Sequence, residues 1–252
     1  MKNALALAGL ALLLAGGCAS SKPQETLSEK KGDIYFTAGT EALESGNHTE
    51  ALASLQEAVR FMPKSAPAWN NLGLAFAGKG EDARAEESLK KALVIDPKFT
   101  DARANLGALY IRMKKPKEAE RQLKESLKDL IYPRIAQVHY NLATIYAGWR
   151  RPLLAEQQLK LALRADDKYC AAWFQLGMIQ KERSEIEQAA TSLGKAVEVT
   201  CFKNPRAHFE ISSLYLKARE TARAKSKLLD IINFFPESDW ARKAEITLNM
   251  IR

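Results

Sequence analysis

The fold this sequence predicts is an all-α superhelix of six stacked helix-turn-helix units, and three in-phase features predict it. One place in the period is filled by Tyr35, Trp69, Arg103, His139, Trp173 and His208, at steps of 34, 34, 36, 34 and 35 residues. Three and four residues later comes an apolar-small pair: Ala38-Gly39, Leu72-Gly73, Leu106-Gly107, Leu142-Ala143, Leu176-Gly177 and Ile211-Ser212. A second helix then brings alanine followed four residues on by leucine: Ala51/Leu55, Ala85/Leu89, Ala119/Leu123, Ala155/Leu159, Ala189/Leu193 and Ala224/Leu228. Spacing by four places each alanine and leucine on one helical face, and the small residues let two helices approach closely. A single hairpin cannot bury its apolar face, so the copies stack.

The clearest unit runs from Ala66 to Phe99. It reads Trp69-x-x-Leu72-Gly73-x-x-Phe76, then Ala85, Leu89, Ala92 and Pro97. These landmarks are those of the tetratricopeptide signature, so the expected architecture is a tetratricopeptide repeat superhelix. Gly78-Lys79-Gly80 supplies the turn, and Pro97 stops the second helix because it lacks an N–H and its ring clashes with the preceding turn.

Taken in order, residues 1–17 begin with Lys2 and carry an apolar run from Ala4 to Ala15. That run is too short to span a bilayer and reads as a signal peptide. Leu14-Ala15-Gly16-Gly17-Cys18 resembles the bacterial lipobox, which implies cleavage before Cys18 and acylation there. The alternative is an ordinary signal peptide that happens to contain a cysteine. Ala19 after Cys18, in place of Asp, resembles lipoproteins passed on to the outer membrane. Residues 18–31 are polar and aperiodic, as a tether would be. Repeats are expected at 32–65, 66–99, 100–135, 136–169, 170–204 and 205–238. Residues 239–252 place Trp240, Ala244, Leu248 and Ile251 on one face and should form a capping helix.

The formal charge of +8 includes Lys2, so the mature chain carries +7. Basic residues alternate with glutamates along the second helices, and the basic runs lack interleaved aromatics. This describes a solvated helix face, and no nucleic acid is expected as partner. The three histidines fall far apart in the array, and no phosphate loop or nucleophile elbow occurs, so neither cofactor nor metal nor enzymatic activity is expected. The function expected is binding.

The inner surface should be lined by the residues one, five and eight places after the Trp69 position. The candidates for a partner-binding groove are Phe36, Leu43, Asn70, Leu74, Ile111, Tyr140, Phe174 and Met178. Such a surface suits an amphipathic helix, although part of the stripe can equally be intra-repeat core. Cys170 opens the first helix of repeat five and Cys201 is expected to end its second. Antiparallel packing sets them side by side, as a disulfide or as two independent buried thiols.

A lipobox followed by six repeats resembles the type IV pilus biogenesis and stability lipoproteins, the PilF/PilW/Tgl group. Leu130-Ile131-Tyr132-Pro133 in the long third repeat is similar to that family's Leu-Tyr-Pro stretch. The resemblance implies a pilotin, an outer-membrane lipoprotein that binds secretin subunits and promotes their assembly into the pilus pore. Cys170 and Cys201 lie outside the family's general pattern. The alternative function is a scaffold for another envelope machine, serving β-barrel insertion or peptidoglycan enzymes.

Overall fold

The computed structural model describes residues 27–251, and among them the only regular elements are thirteen α-helices and one short 3₁₀ turn. Six hairpins follow one another: α1 (Leu27–Glu44) with α2 (His48–Phe61), α3 (Ala66–Gly78) with α4 (Asp82–Ile95), and α5 (Thr100–Arg112) with α6 (Pro116–Ser126). Then come α7 (Ile135–Gly148) with α8 (Pro152–Ala165), α9 (Cys170–Glu182) with α10 (Ile186–Lys195), and α11 (Pro205–Lys217) with α12 (Thr221–Phe234). Helix α13 (Asp239–Met250) follows, packing on both helices of the sixth hairpin.

Each hairpin closes on the alanine and leucine that set the period. All six alanines and all six leucines are buried, with Leu55, Leu89, Leu123, Leu159, Leu193 and Leu228 among the largest fully enclosed side chains. Gly73 shows why its place must stay small: a Cβ there would stand 2.7 Å from Leu89 Cγ and 3.3 Å from the Ala85 carbonyl. Repeats four and six hold Ala143 and Ser212 in that place, both buried.

Inside each hairpin the turn passes through one left-handed residue. Gly46 and Gly80 fill it in the first two repeats, and Lys114, Arg150, Ser184 and Arg219 fill it in the others at φ between 56° and 62°. A side chain there costs about 1 kcal/mol each. Between hairpins, caps fix the next helix. Ser65 Oγ, Asn204 Oδ1 and Ser238 Oγ accept N–H bonds from residues 68, 207 and 241.

The signal peptide and Cys18 lie outside the described residues. The tether expected over 18–31 is shorter than read, because α1 already begins at Leu27. Its early turns pack on the end of α2, where a Cβ on Gly32 would meet Met62 Cγ at 2.4 Å. The second helix of repeat five is also shorter than expected. Helix α10 stops at Lys195, and Cys201 sits in the 3₁₀ turn Val199–Cys201. Between them the chain leaves the helix, burying Ala196 and Val197 in the core on the way.

Candidate functional site

First helices touch the first helices of neighbouring repeats, α1 with α3, α3 with α5 and α5 with α7, and so form the inner wall of the stack. Seven of the eight candidate groove residues stand half-buried on that wall: Phe36, Leu43, Leu74, Ile111, Tyr140, Phe174 and Met178. They differ in what holds them. Phe36, Leu43, Ile111 and Tyr140 pack partly against the main core, and Phe174 against the core of repeats five and six. Leu74 and Met178 belong to no core cluster. Of the two readings of the stripe, lining surface or intra-repeat core, these five combine both, since helix packing covers one side of each.

Asn70 is a further correction. It is 5% exposed, its Nδ2 donates to Asn71 Oδ1 at 3.0 Å, and its Oδ1 accepts from Asn105 Nδ2 at 2.9 Å. Asn71 Nδ2 in turn donates to Thr40 Oγ1 at 2.9 Å, and Thr40 Oγ1 to the Phe36 carbonyl at 2.8 Å. A relay of neutral amides thus crosses the first three repeats. It satisfies buried polar groups that would otherwise cost free energy, and it locks the repeats in register. At the far end the charge changes: Lys181 Nζ donates to Glu210 Oε2 at 2.5 Å and to Ser213 Oγ at 3.2 Å.

The place shared by Trp69 and its equivalents has a chemical rule that the sequence did not disclose. Trp69 Nε1 donates to the Pro63 carbonyl at 2.9 Å, Trp173 Nε1 to the Asp167 carbonyl at 2.7 Å, and Arg103 Nη2 to the Pro97 carbonyl. His208 Nε2 lies 3.0 Å from the Phe202 carbonyl. In all four the acceptor is six residues back, in the connection between repeats. In the longer repeat junction, His139 Nδ1 instead contacts Gln158 Oε1 at 2.8 Å.

Acid–tyrosine joints link successive repeats. Glu86 accepts from Tyr110 Oη at 3.0 Å and from the ammonium groups of Lys90 and Lys115 at 2.6 and 3.1 Å. The Lys90 hydrogen bond, with help from the other two, lowers the Glu86 pKa to about 2. Glu120 repeats the pattern with Tyr146 at 2.8 Å and Lys124 at 2.7 Å. Cys170 and Cys201 are joined in a disulfide with Cα atoms 5.2 Å apart. It ties the start of α9 to the connection leading to α11. Among the described residues, no group of three or more His, Cys, Asp or Glu converges as a metal site.

A stack of antiparallel helix pairs with this small-residue and leucine register defines a tetratricopeptide repeat superhelix. Two tetratricopeptide repeat family models match, over residues 36–98 and 77–130. No curated protein sequence matches the chain. Among solved structures, PilF of Pseudomonas aeruginosa aligns with a TM-score of 0.77 at 22% identity, covering 87% of this chain and 99% of its own. PilW, a widely conserved type IV pilus biogenesis factor, aligns at 0.74 and 21%, covering 84% and 97%. The APC/C Cut9–Hcn1 structure reaches 0.72 at 18%, covering 88% of this chain and 43% of that one. At these identities the likeness is one of fold.

Proposed function

We propose that the chain acts in type IV pilus biogenesis as a pilotin, a lipoprotein anchored to the outer membrane through Cys18 that binds secretin subunits and promotes their assembly into the pore. The observation that carries this reading is the extent of the PilF alignment. The shared superhelix accounts for 99% of PilF and 87% of this chain, and the lipobox-like Leu14-to-Cys18 segment precedes it. Cut9–Hcn1, of similar TM-score, is matched over less than half its length. In this reading the inner wall holds a secretin segment, with the half-buried Leu74 and Met178, which no core cluster claims, as anchors and no catalysis involved. Deleting the gene tests it: secretin protein persists, heat-resistant secretin multimers disappear and pili are lost. Normal multimers with defective barrel insertion or cell-wall synthesis would instead assign the chain to another envelope scaffold.

A further inference from the structure

Antiparallel pairing brings the turns inside the hairpins, where first helices end and second helices begin, to one edge of the stack. Successive turns are neighbours there. Arg112 at the end of α5 bonds Asp82 at the start of α4, and Tyr146 near the end of α7 donates to Glu120 near the start of α6 at 2.8 Å. The turns of repeats three and four stand apart in charge. Lys114, Lys117, Arg150 and Arg151 are exposed, and none of them makes an ion pair among the described residues. The acids of the adjoining helix starts are already engaged: Asp82 by Arg112, Glu86 by Lys90 and Lys115, Glu120 by Lys124, and Glu156 by Lys160 and Arg183. Arg121, further along α6, offsets the exposed Glu87 at the same place of α4. Only Glu118 is left to set against the four cations.

Two of the four are held out at a cost. Lys114 and Arg150 occupy the left-handed place of their turns at φ 56°, the place that Gly46 and Gly80 fill without strain. Beside the arginines the surface is apolar. The Arg151 guanidinium stands over the Trp149 ring, 5.5 Å from its centre, and Leu153 and Leu154 are 65% and 40% exposed. Unpaired cations around exposed leucines complement a polypeptide segment that carries carboxylates interspersed with bulky apolar side chains. A free anion would answer the cations and leave the leucines wet. A flat anionic bilayer laid on this edge would also meet the exposed carboxylates of the flanking turns, Glu44 and Glu50 in repeat one and Glu182 and Glu187 in repeat five. A segment can lie on two turns alone.

We propose that the turns of repeats three and four form a second docking surface, separate from the inner wall, for an acidic segment of a partner protein that also carries bulky apolar residues. The proposal does not depend on the pilotin reading. The test titrates the purified chain, by fluorescence anisotropy at low and at physiological salt, with a labelled peptide that alternates glutamate with leucine. The expected result is saturable binding that falls steeply with salt. Lys114→Gly with Arg150→Gly should weaken that binding several-fold while the melting temperature stays level or rises, because glycine relieves the left-handed strain. Leu153→Ser should weaken it with the salt dependence kept. Absence of saturable binding, or unchanged binding to the folded glycine double variant, overturns the proposal. Equal binding of a peptide that alternates glutamate with serine makes the patch a general anion site and also overturns it. Phosphatidylglycerol vesicles held through Lys114 and Arg150 by a chain that ignores the peptide assign the edge to a membrane, and overturn it as well.

Discussion

Trp69, Arg103, Trp173 and His208 share a backbone acceptor and not a shape. Each offers an N–H on a flat group to a carbonyl six residues back, and so holds the connection against the next first helix. The sequence placed these residues in phase but left the exchange of Trp for Arg or His without a reason. The reason is a donor requirement, visible only when the loop carbonyl is in place. His208 adds a titration. It is fully buried among Phe202 and Phe235, Nε2 faces the Phe202 carbonyl, and Nδ1 faces Asp230 Oδ2 at 3.6 Å, with Lys227 beyond it. Burial, and to a smaller degree Lys227, lowers its pKa against the raising effect of the Phe202 carbonyl and Asp230. The folded imidazole therefore refuses a proton that the unfolded chain accepts below about pH 6.5. Its stability contribution is complete above that pH and is lost as the pH falls, by at most about 1.4 kcal/mol per pH unit. Urea unfolding from pH 7.5 down to about 5.5 should show that slope, and His208→Phe should flatten it.

At the scale of elements, the disulfide and the acid–tyrosine joints are what the stack adds to helix packing. The Cys170–Cys201 bridge spans 31 residues, so its loss in Cys170→Ser with Cys201→Ser should lower stability by roughly 3–4 kcal/mol in the chain-entropy picture. Thermal denaturation of the double variant against the oxidised chain measures it, and unchanged melting would leave the bridge without a stabilising role. Helix phase, order and the six core leucines were legible in the sequence because they depend on spacing within one hairpin. The ends of α1 and α10 were not, because they depend on a neighbour: Met62 receiving Gly32, and the Ala196–Val197 segment leaving its helix for the core. Which residues share the first-helix face was legible, but not how far each is buried. Periodicity put Asn70 and Leu74 on one face, and only the amide of Asn105, a repeat away, turns Asn70 from a lining residue into a buried tie.

For the whole molecule, the question is which surface binds. Leu74 and Met178 lie on the inner wall outside every core cluster, so Leu74→Glu with Met178→Glu should keep the helical signal and melting temperature nearly unchanged. It should weaken the proposed secretin segment by about tenfold or more in a binding titration, as loss of anchors at the centre of an interface does. Phe36→Glu, which strikes a residue packed on the core, should instead lower the melting temperature. Retained affinity in the folded double variant would place the binding surface elsewhere. The core itself is not continuous. The main cluster runs from Ala42 to Ile179, with a small separate one of Ala66, Ala92 and Ala102 inside that span; toward the carboxy terminus follow one from Ala189 to Ala224 and one from Leu228 to Ala244. In a stack whose units touch only near neighbours, cooperativity weakens wherever the buried cluster divides. The molecule therefore has a melting polarity. Its carboxy-terminal units can be lost while the long first cluster survives, and the disulfide from Cys170 to Cys201 lies across the boundary between the long cluster and the next, where such a loss would otherwise spread toward the amino-terminal repeats.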